Sequence, residues 1–354
     1  MKVLISGVCG FVGSALARYF VEHDSGIEVA GFDNFIRAGS ELNRRALQAL
    51  GVRVTHADLR VQSDLDALPS ADWVIDAAAN ASVLAGVDGR TSSRQIVEHN
   101  LCGTVEMLEY CKRHRAGFVL LSTSRVYSIP PLAALPMRVE NDAFTLDASG
   151  TLPPGVTAAG VNEDFSTAAP VSLYGTTKLC SEQLALEYGS AFDLPVWINR
   201  CGVLAGAGQF GRADQGIFSF WIHSWLRQRP LKYIGFGGTG HQVRDCLHPR
   251  DLARLVLKQI RQPAHNASRV QHVAGGAAQA MSLKQLSAWC EQRFGAHNVA
   301  ADPGARAFDI PWMVMDSTRA GRQWDWRPEI PLETILEEIE GHAKQHPDWL
   351  ELTS

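Results

Sequence analysis

The stretch "KVLISGVCGFVGSALARYFVEH" at residues 2–23 constrains the fold more than any other part of this chain. An apolar run at 2–6 passes directly into Gly7, Gly10 and Gly13, and then into the amphipathic pattern of 14–23. Strand, glycine turn and helix in that order make the crevice at the carboxyl end of a parallel sheet that receives a dinucleotide's diphosphate. Gly7 permits the tight turn, Gly10 lets the diphosphate approach the backbone, and Gly13 lets helix and strand pack closely. The first turn of the helix supplies free N–H groups and a positive dipole end. Cys9, Phe11 and Val12 share this loop and are candidate cofactor contacts with the glycines. Asp33 ends the second strand, where an acid accepts hydrogen bonds from an adenosine ribose, with Asn34 beside it. The expected cofactor is therefore NAD, although Arg37 is placed to suit a 2′-phosphate.

Apolar runs at 28–33, 52–58, 73–79, 117–123 and 195–200 alternate with helical patterns at 41–50, 100–113 and onward from about 175. This predicts an α/β fold, a doubly wound parallel sheet of the Rossmann type. The 354 residues suit two unequal domains. Residues 1–200 plus about 235–260 form the expected NAD-binding domain, with an insertion at 128–170 rich in Pro, Ala, Gly and Thr. Residues 201–234 plus about 265–354 form a smaller substrate domain. The net charge of -4 is spread along the chain with no basic block, so nucleic acid is not an expected partner. No apolar run reaches membrane-spanning length, and residues 1–13 are too glycine-rich for a signal peptide, so a cytoplasmic location is expected. The seven cysteines are scattered without CxxC and the 12 histidines form no HxH, so free thiols and no metal site are expected.

In "SLYGTTK" (172–178), Tyr174 and Lys178 stand four residues apart, on one face of a helix. A free tyrosine ionises near pH 10, too high for a base at neutral pH. A fixed ammonium nearby lowers that value. The spacing alone, short and common, fits two surface residues of an amphipathic helix better than an activated tyrosine.

Other landmarks accompany this pair: "ADL" at 57–59, "DAAA" at 76–79, "NLCGTVEMLE" from Asn100, "LLSTSRVY" at 120–127 and "WDWRP" at 324–328. With the G-x-x-G-x-x-G loop, they resemble the extended branch of the short-chain dehydrogenase/reductase superfamily over nearly the whole chain. That resemblance implies roles. The Thr123 hydroxyl positions the reacting sugar oxygen. Tyr174 is the general base and then the acid, and Lys178 holds the nicotinamide ribose and lowers the tyrosine pKa. Asn100 supports the site, Asp58 and Leu59 contact adenine, and Ala77, Ala78 and Ala79 border the cofactor. Sugar dehydratases of this branch carry an Asp-Glu pair where this chain has Ser124 and Arg125, so the resemblance implies epimerisation of a nucleotide sugar rather than elimination of water.

Gln209, Phe210, Asp214, Gln215 and Gly216, the "GTGHQVRDCLHPRDLA" segment (238–253) and the insertion are similar to the CDP-paratose 2-epimerase family, which oxidises C2. Arg244 lies where the branch places an arginine on the nucleotide diphosphate, with a salt bridge to Asp245 as the structural alternative. Arg306, Ser124 and Arg125 are further candidate substrate contacts. Asp251 is expected to cap the helix after it, and His248 to be structural. Residues 218–225 are read as helix core or as pocket lining. Ser128, Val203, Ala205 and Gly208 depart from the family's usual residues. A UDP-sugar 4-epimerase and a non-catalytic NAD-binding sensor remain alternative functions. The resemblance also implies a homodimer or homotetramer, paired through the helices near Asn100 and Tyr174.

Overall fold

The computed structural model describes residues 1–87, 89, 92–147, 149–212, 215–262 and 267–353. Asp214 lies outside them.

Seven strands form one parallel sheet: β1 (Lys2–Ser6), β2 (Glu28–Asp33), β3 (Arg53–His56), β4 (Trp73–Asp76), β5 (Gly117–Thr123), β6 (Val196–Cys201) and β7 (Val270–Val273). Their order across the sheet is β7-β6-β5-β4-β1-β2-β3. The chain builds outward from β1 to β3 and then returns to lay β4 on the other side of β1. The crevice between β1 and β4 is thus a topological switch point, where such sheets bind ligands.

Alternate residues of each strand enter opposite layers, as the period of two requires. Val3, Ile5, Ile75, Val119 and Trp197 face one apolar layer, while Leu4, Val74, Phe118, Leu120 and Ile198 face the other. In the first layer, helix α1 (Phe11–His23) contributes Leu16, Ala17 and Phe20. In the second, α2 (Gly103–His114) contributes Met107, Leu108 and Cys111, and α3 (Leu173–Phe192) contributes Ala185.

Two boundaries differ from the sequence reading. The predicted return to the first domain at about 235–260 holds only for α5 (Pro249–Arg261), which packs on α1; α4 (Ile217–Leu226) precedes it in the chain. Val243–Leu247 instead joins a separate small sheet with Val203–Leu204, Ala280–Ser282 and Trp312–Met313. Conversely β7, expected in the smaller domain, is the edge strand of the main sheet. Its signal is masked because Gln271 and His272 are polar yet fully buried. Trp324 Nε1 donates to Gln271 Oε1 at 2.8 Å, and Gln271 Nε2 donates to Asn199 Oδ1 at 3.2 Å.

The aromatic stretch 218–225 is core. In α4, Trp221 and Trp225 are buried with Leu286, Trp289, Leu336 and Ile339. The described residues of the 128–170 insertion form a wall: a helical turn at Ile129–Ala133 and two hairpins pack Leu132, Val161 and Phe165 against Ile310 and Val314. Among the described residues, no helix is long and apolar enough to cross a membrane.

Candidate active site

The glycine loop closes tightly over the end of β1. Gly7 has φ +63°, and a Cβ on Gly13 would lie 2.2 Å from the Gly7 carbonyl oxygen. No side chain caps the start of α1. Asp33 organises the loop from the side: its Oδ2 accepts the Cys9 N–H at 3.0 Å and its Oδ1 the Phe35 N–H at 2.8 Å. Burial pushes the Asp33 carboxyl up, and these backbone donors oppose that. A bare helix N-terminus, a backbone cradle and a strand-end carboxylate fit a dinucleotide's diphosphate and ribose. Phe11 and Val12 begin α1, directly beyond the cradle.

Across the crevice, Ser6 Oγ donates to Asp76 and accepts the N–H groups of Ala77 and Ala78, holding the 77–79 backbone beside Gly7. Asp58 is held by Asn34 and Arg60, and the Arg60 guanidinium keeps its carboxyl well below the usual range. The Asp58 side chain is therefore occupied, while Leu59 lies buried under Gly103. The guanidinium of Arg37 donates to the Phe210 carbonyl at 2.7 Å, tying the cofactor edge to the 209–216 segment.

Asn100 sits in a π-helical turn, Val97–Cys102, a feature frequent at functional sites. Its amide is wholly engaged. Oδ1 accepts the Asn80 N–H at 2.8 Å, and Nδ2 donates to the Asn80 carbonyl at 3.0 Å and to Thr177 at 3.3 Å. It therefore ties the loop after β4 to the helix that carries Tyr174.

Thr123 ends β5, and its Oγ1 accepts the Arg125 N–H at 3.2 Å in the short 3-10 turn Ser124–Val126. That turn lies against the start of α3, where a Cβ on Gly175 would fall 2.1 Å from the Arg125 carbonyl oxygen. The glycine in "YGTTK" is what lets Tyr174 reach Thr123. Ser172 caps α3, its Oγ accepting the Gly175 N–H at 3.1 Å. Tyr174 and Lys178 are 7% and 2% exposed, so the pair does not lie on a surface face.

Burial pushes the Tyr174 phenol up to about 12, and the groups opposing it are the Thr123 hydroxyl and the Arg125 charge. Burial likewise pushes the Lys178 ammonium down, against Asp76, Glu182 and Cys201.

Beneath the pair lies a buried network that motif reading passes over. Ser122 Oγ donates to Glu182 at 2.5 Å, and Arg200 donates to both Glu182 oxygens, at 2.6 Å from Nη2. Arg200 Nη1 donates to the Tyr127 hydroxyl at 3.0 Å, which also bonds His272. The one signal in the sequence is that Glu182 continues the Tyr174, Lys178 spacing.

Toward the substrate side, Arg244 pairs with Asp309 at 3.1 Å and donates to the Ile310 carbonyl, so its partner is not Asp245. Arg125 donates to the Phe308 carbonyl at 3.2 Å, and the charge of Arg306 bears on both arginines. Ser124 and Arg125 line a small cavity with Val83, Tyr127, Ser172 and Phe308. Gln209 is buried, its Nε2 donating to Leu204, and Gln215 pairs by backbone with Arg212. Asp251 does not cap α5. His248 does, by accepting the Arg250 N–H, while Asp251 accepts N–H groups from Glu329 and Ile330. The other ring nitrogen of His248 meets Glu338.

Fold and site define a dinucleotide-dependent enzyme of the short-chain dehydrogenase/reductase type. The chain belongs to the NAD dependent epimerase/dehydratase family, whose family model matches residues 3–274. It is 26% identical to the CDP-paratose 2-epimerase of Salmonella typhi, over 93% of this chain and 95% of that protein. It is 24% identical to a UDP-glucuronate 4-epimerase of Thermodesulfobacterium geofontis, over 97% and 96%. Among solved structures it is similar to the UDP-glucuronic acid 4-epimerase of Bacillus cereus in complex with NAD. That match has a TM-score of 0.76 and 25% identity, and covers 98% of this chain and 99% of that one. The cofactor is NAD.

Proposed function

We propose that this protein is an epimerase of a nucleotide-activated sugar and that it oxidises and re-reduces C2. The observation that carries the reading is the two hydroxyls of Thr123, at the end of β5, and Tyr174, at the start of α3, with no carboxylate at positions 124 and 125. Dehydration needs an additional acid and base, whereas epimerisation needs one group that takes and returns a hydroxyl proton. Thr123 orients the sugar hydroxyl, and Tyr174 accepts its proton and later donates it back. Lys178, Asp33 and the glycine loop hold the cofactor, and NAD, when bound, supplies the hydride acceptor and donor. Arg244 and Arg306 take the diphosphate, since a guanidinium fork suits phosphate oxygens. The apolar wall contributed by the insertion excludes water from the sugar.

For C2 rather than C4, support comes from Gln209, Phe210, Gln215 and Gly216, which follow the 2-epimerase pattern, and from the similarity to a CDP-paratose 2-epimerase over nearly the full length. The test uses CDP-paratose deuterated separately at C2 and at C4. A primary isotope effect with the C2 label alone is expected; an effect with the C4 label alone assigns the protein to the 4-epimerases. We further infer a homodimer through α2 and α3, which lie side by side with Phe192 exposed at the end of α3, and a cytoplasmic location.

A further inference from the structure

The segment from Gly206 to Gly216, which carries Gln209 and Gln215 and leads into α4, touches the cofactor half of the chain at two places. At its start, a Cβ on Gly206 would lie 3.5 Å from the ring of Phe11, the first residue of α1. Further along, the Phe210 carbonyl accepts Arg37 Nη2 at 2.7 Å, across 173 residues of sequence. Arg37 belongs to the loop that leaves β2, and that loop is set from its own beginning. Asp33 Oδ1 accepts the Phe35 N–H at 2.8 Å, and Phe35 lies in the left-handed region at φ +56°. Gly39, at φ +89°, comes so close that a Cβ on it would fall 3.2 Å from the Phe210 ring and 2.6 Å from Thr353.

Other anchors of the segment lie on the opposite side. The Gln209 carbonyl accepts Trp349 Nε1 at 2.8 Å and Ser219 Oγ at 3.1 Å. The Phe210 ring sits between the Arg37 guanidinium, 5.8 Å from its centroid, and the Trp349 ring, stacked at 5.8 Å and 26°. Arg37 thus makes a charge-assisted bond between the loop of the ribose-binding strand end and the segment assigned to the nucleotide sugar. A 2′-phosphate would have to compete for a guanidinium that is already bonded and stacked.

We propose that Arg37 is a positioning residue for the nucleotide sugar: it locks the 206–216 segment to the loop after β2, so that bound NAD orders the substrate site. This rests on the reading of that segment as part of the nucleotide-sugar site and of Asp33 as the ribose contact. A dinucleotide bonded to Asp33 restrains the loop that Asp33 holds through Phe35. The restrained loop holds Arg37, and Arg37 holds the Phe210 carbonyl. The second ligand then meets a segment that is already ordered, and by linkage each ligand tightens the other by the same factor.

Hydrogen–deuterium exchange of the full chain, read by mass spectrometry over peptides covering 206–212, follows the clamp without any turnover. In the parent, NAD alone is expected to slow exchange there by roughly fivefold or more, as for ordinary coupling between sites. Arg37→Ala is expected to bind NAD, checked by calorimetry, yet to lose that protection. Arg37→Lys, which keeps a cationic donor, is expected to recover part of it. Calorimetric titration with CDP as the probe is expected to show NAD tightening CDP in the parent and not in Arg37→Ala. Equal protection, or an equal gain in CDP affinity, in parent and Arg37→Ala overturns the proposal. An absence of NAD-induced protection in the parent does so even where Arg37→Ala does not fold. A loss of NADP affinity as the sole effect of Arg37→Ala also overturns it, because Arg37 then serves a cofactor phosphate. Failure of the underlying reading is visible separately. CDP that binds the NAD-loaded parent without changing exchange at 206–212 takes the segment out of the substrate site, and with it the role of Arg37 toward the sugar, whatever NAD does there.

Discussion

Two side chains can be tested at the residue scale. Removing the hydroxyl of Tyr174 leaves shape and packing intact while deleting the acid and base of the proposed mechanism. Tyr174→Phe is therefore expected to bind NAD as the parent does and to lose roughly a hundred- to ten-thousand-fold in turnover, read by NMR of the sugar product beside a cofactor titration. Near-parental turnover removes Tyr174 from the mechanism. Asp245 offers a test by pH. It is fully buried, its Oδ2 accepts the N–H groups of Gly276 and Met315, and its Oδ1 has no partner among the described residues. Burial raises its pKa from 3.8 to about 6. A carboxyl whose folded pKa lies above its unfolded value favours the folded chain while protonated. Its contribution is full below about pH 4 and is lost as pH rises through about 6. From pH 4.5 to 7.5, urea unfolding should therefore show Asp245→Asn gaining on the parent by on the order of 2 kcal/mol. An unchanged gap between the two curves means that Asp245 does not titrate in this window.

Helix α3 decides most of the site at the scale of elements, and its own sequence explains only half of that. Tyr174, Lys178 and Glu182 recur at every fourth residue, which a helix turns into one face. That this face points into the protein follows from Arg200 on β6, whose charge needs the buried Glu182. Breaking a buried pair leaves an uncompensated charge and costs about 3–5 kcal/mol, whereas replacing both partners by apolar groups costs far less. Glu182→Gln is accordingly expected to lower the unfolding free energy by about that amount. The double variant Glu182→Leu, Arg200→Met should lose less. Denaturant titration distinguishes these, and equal losses in the single and double variants contradict the account. The strands follow similar logic. The first five and β6 are legible because their apolar runs are continuous, as strands buried on both faces must be. In β7, Gln271 and His272 break the run because hydrogen bonds, not apolarity, satisfy its interior.

For the whole molecule, the prediction is the assembly. Helices α2 and α3 pack side by side on one face of the sheet, and a closed two-fold is the commonest symmetry for soluble oligomers. Light scattering at micromolar concentration is expected to give twice or four times the 38.6 kDa chain mass. A monomer excludes pairing through these helices.

What the amino-acid order by itself determined is local. The glycine loop, the strand-end Asp33 and the spacing of Tyr174 and Lys178 are each set by the few residues around them, because turn, strand end and helix face are short-range geometries, whereas Asn100 and Thr123 stand out only through the resemblance to the family. Those were readable, and so was the family. The tertiary structure decided which charge meets which. Arg125 is two residues from Thr123 in the chain, yet its environment is made by Phe308, Arg244 and Arg306, which come from distant loops. The same holds for Arg244, which turns from its neighbour Asp245 to Asp309. Electrostatic fields depend on distance through space and on burial, and neither is encoded in spacing along the chain.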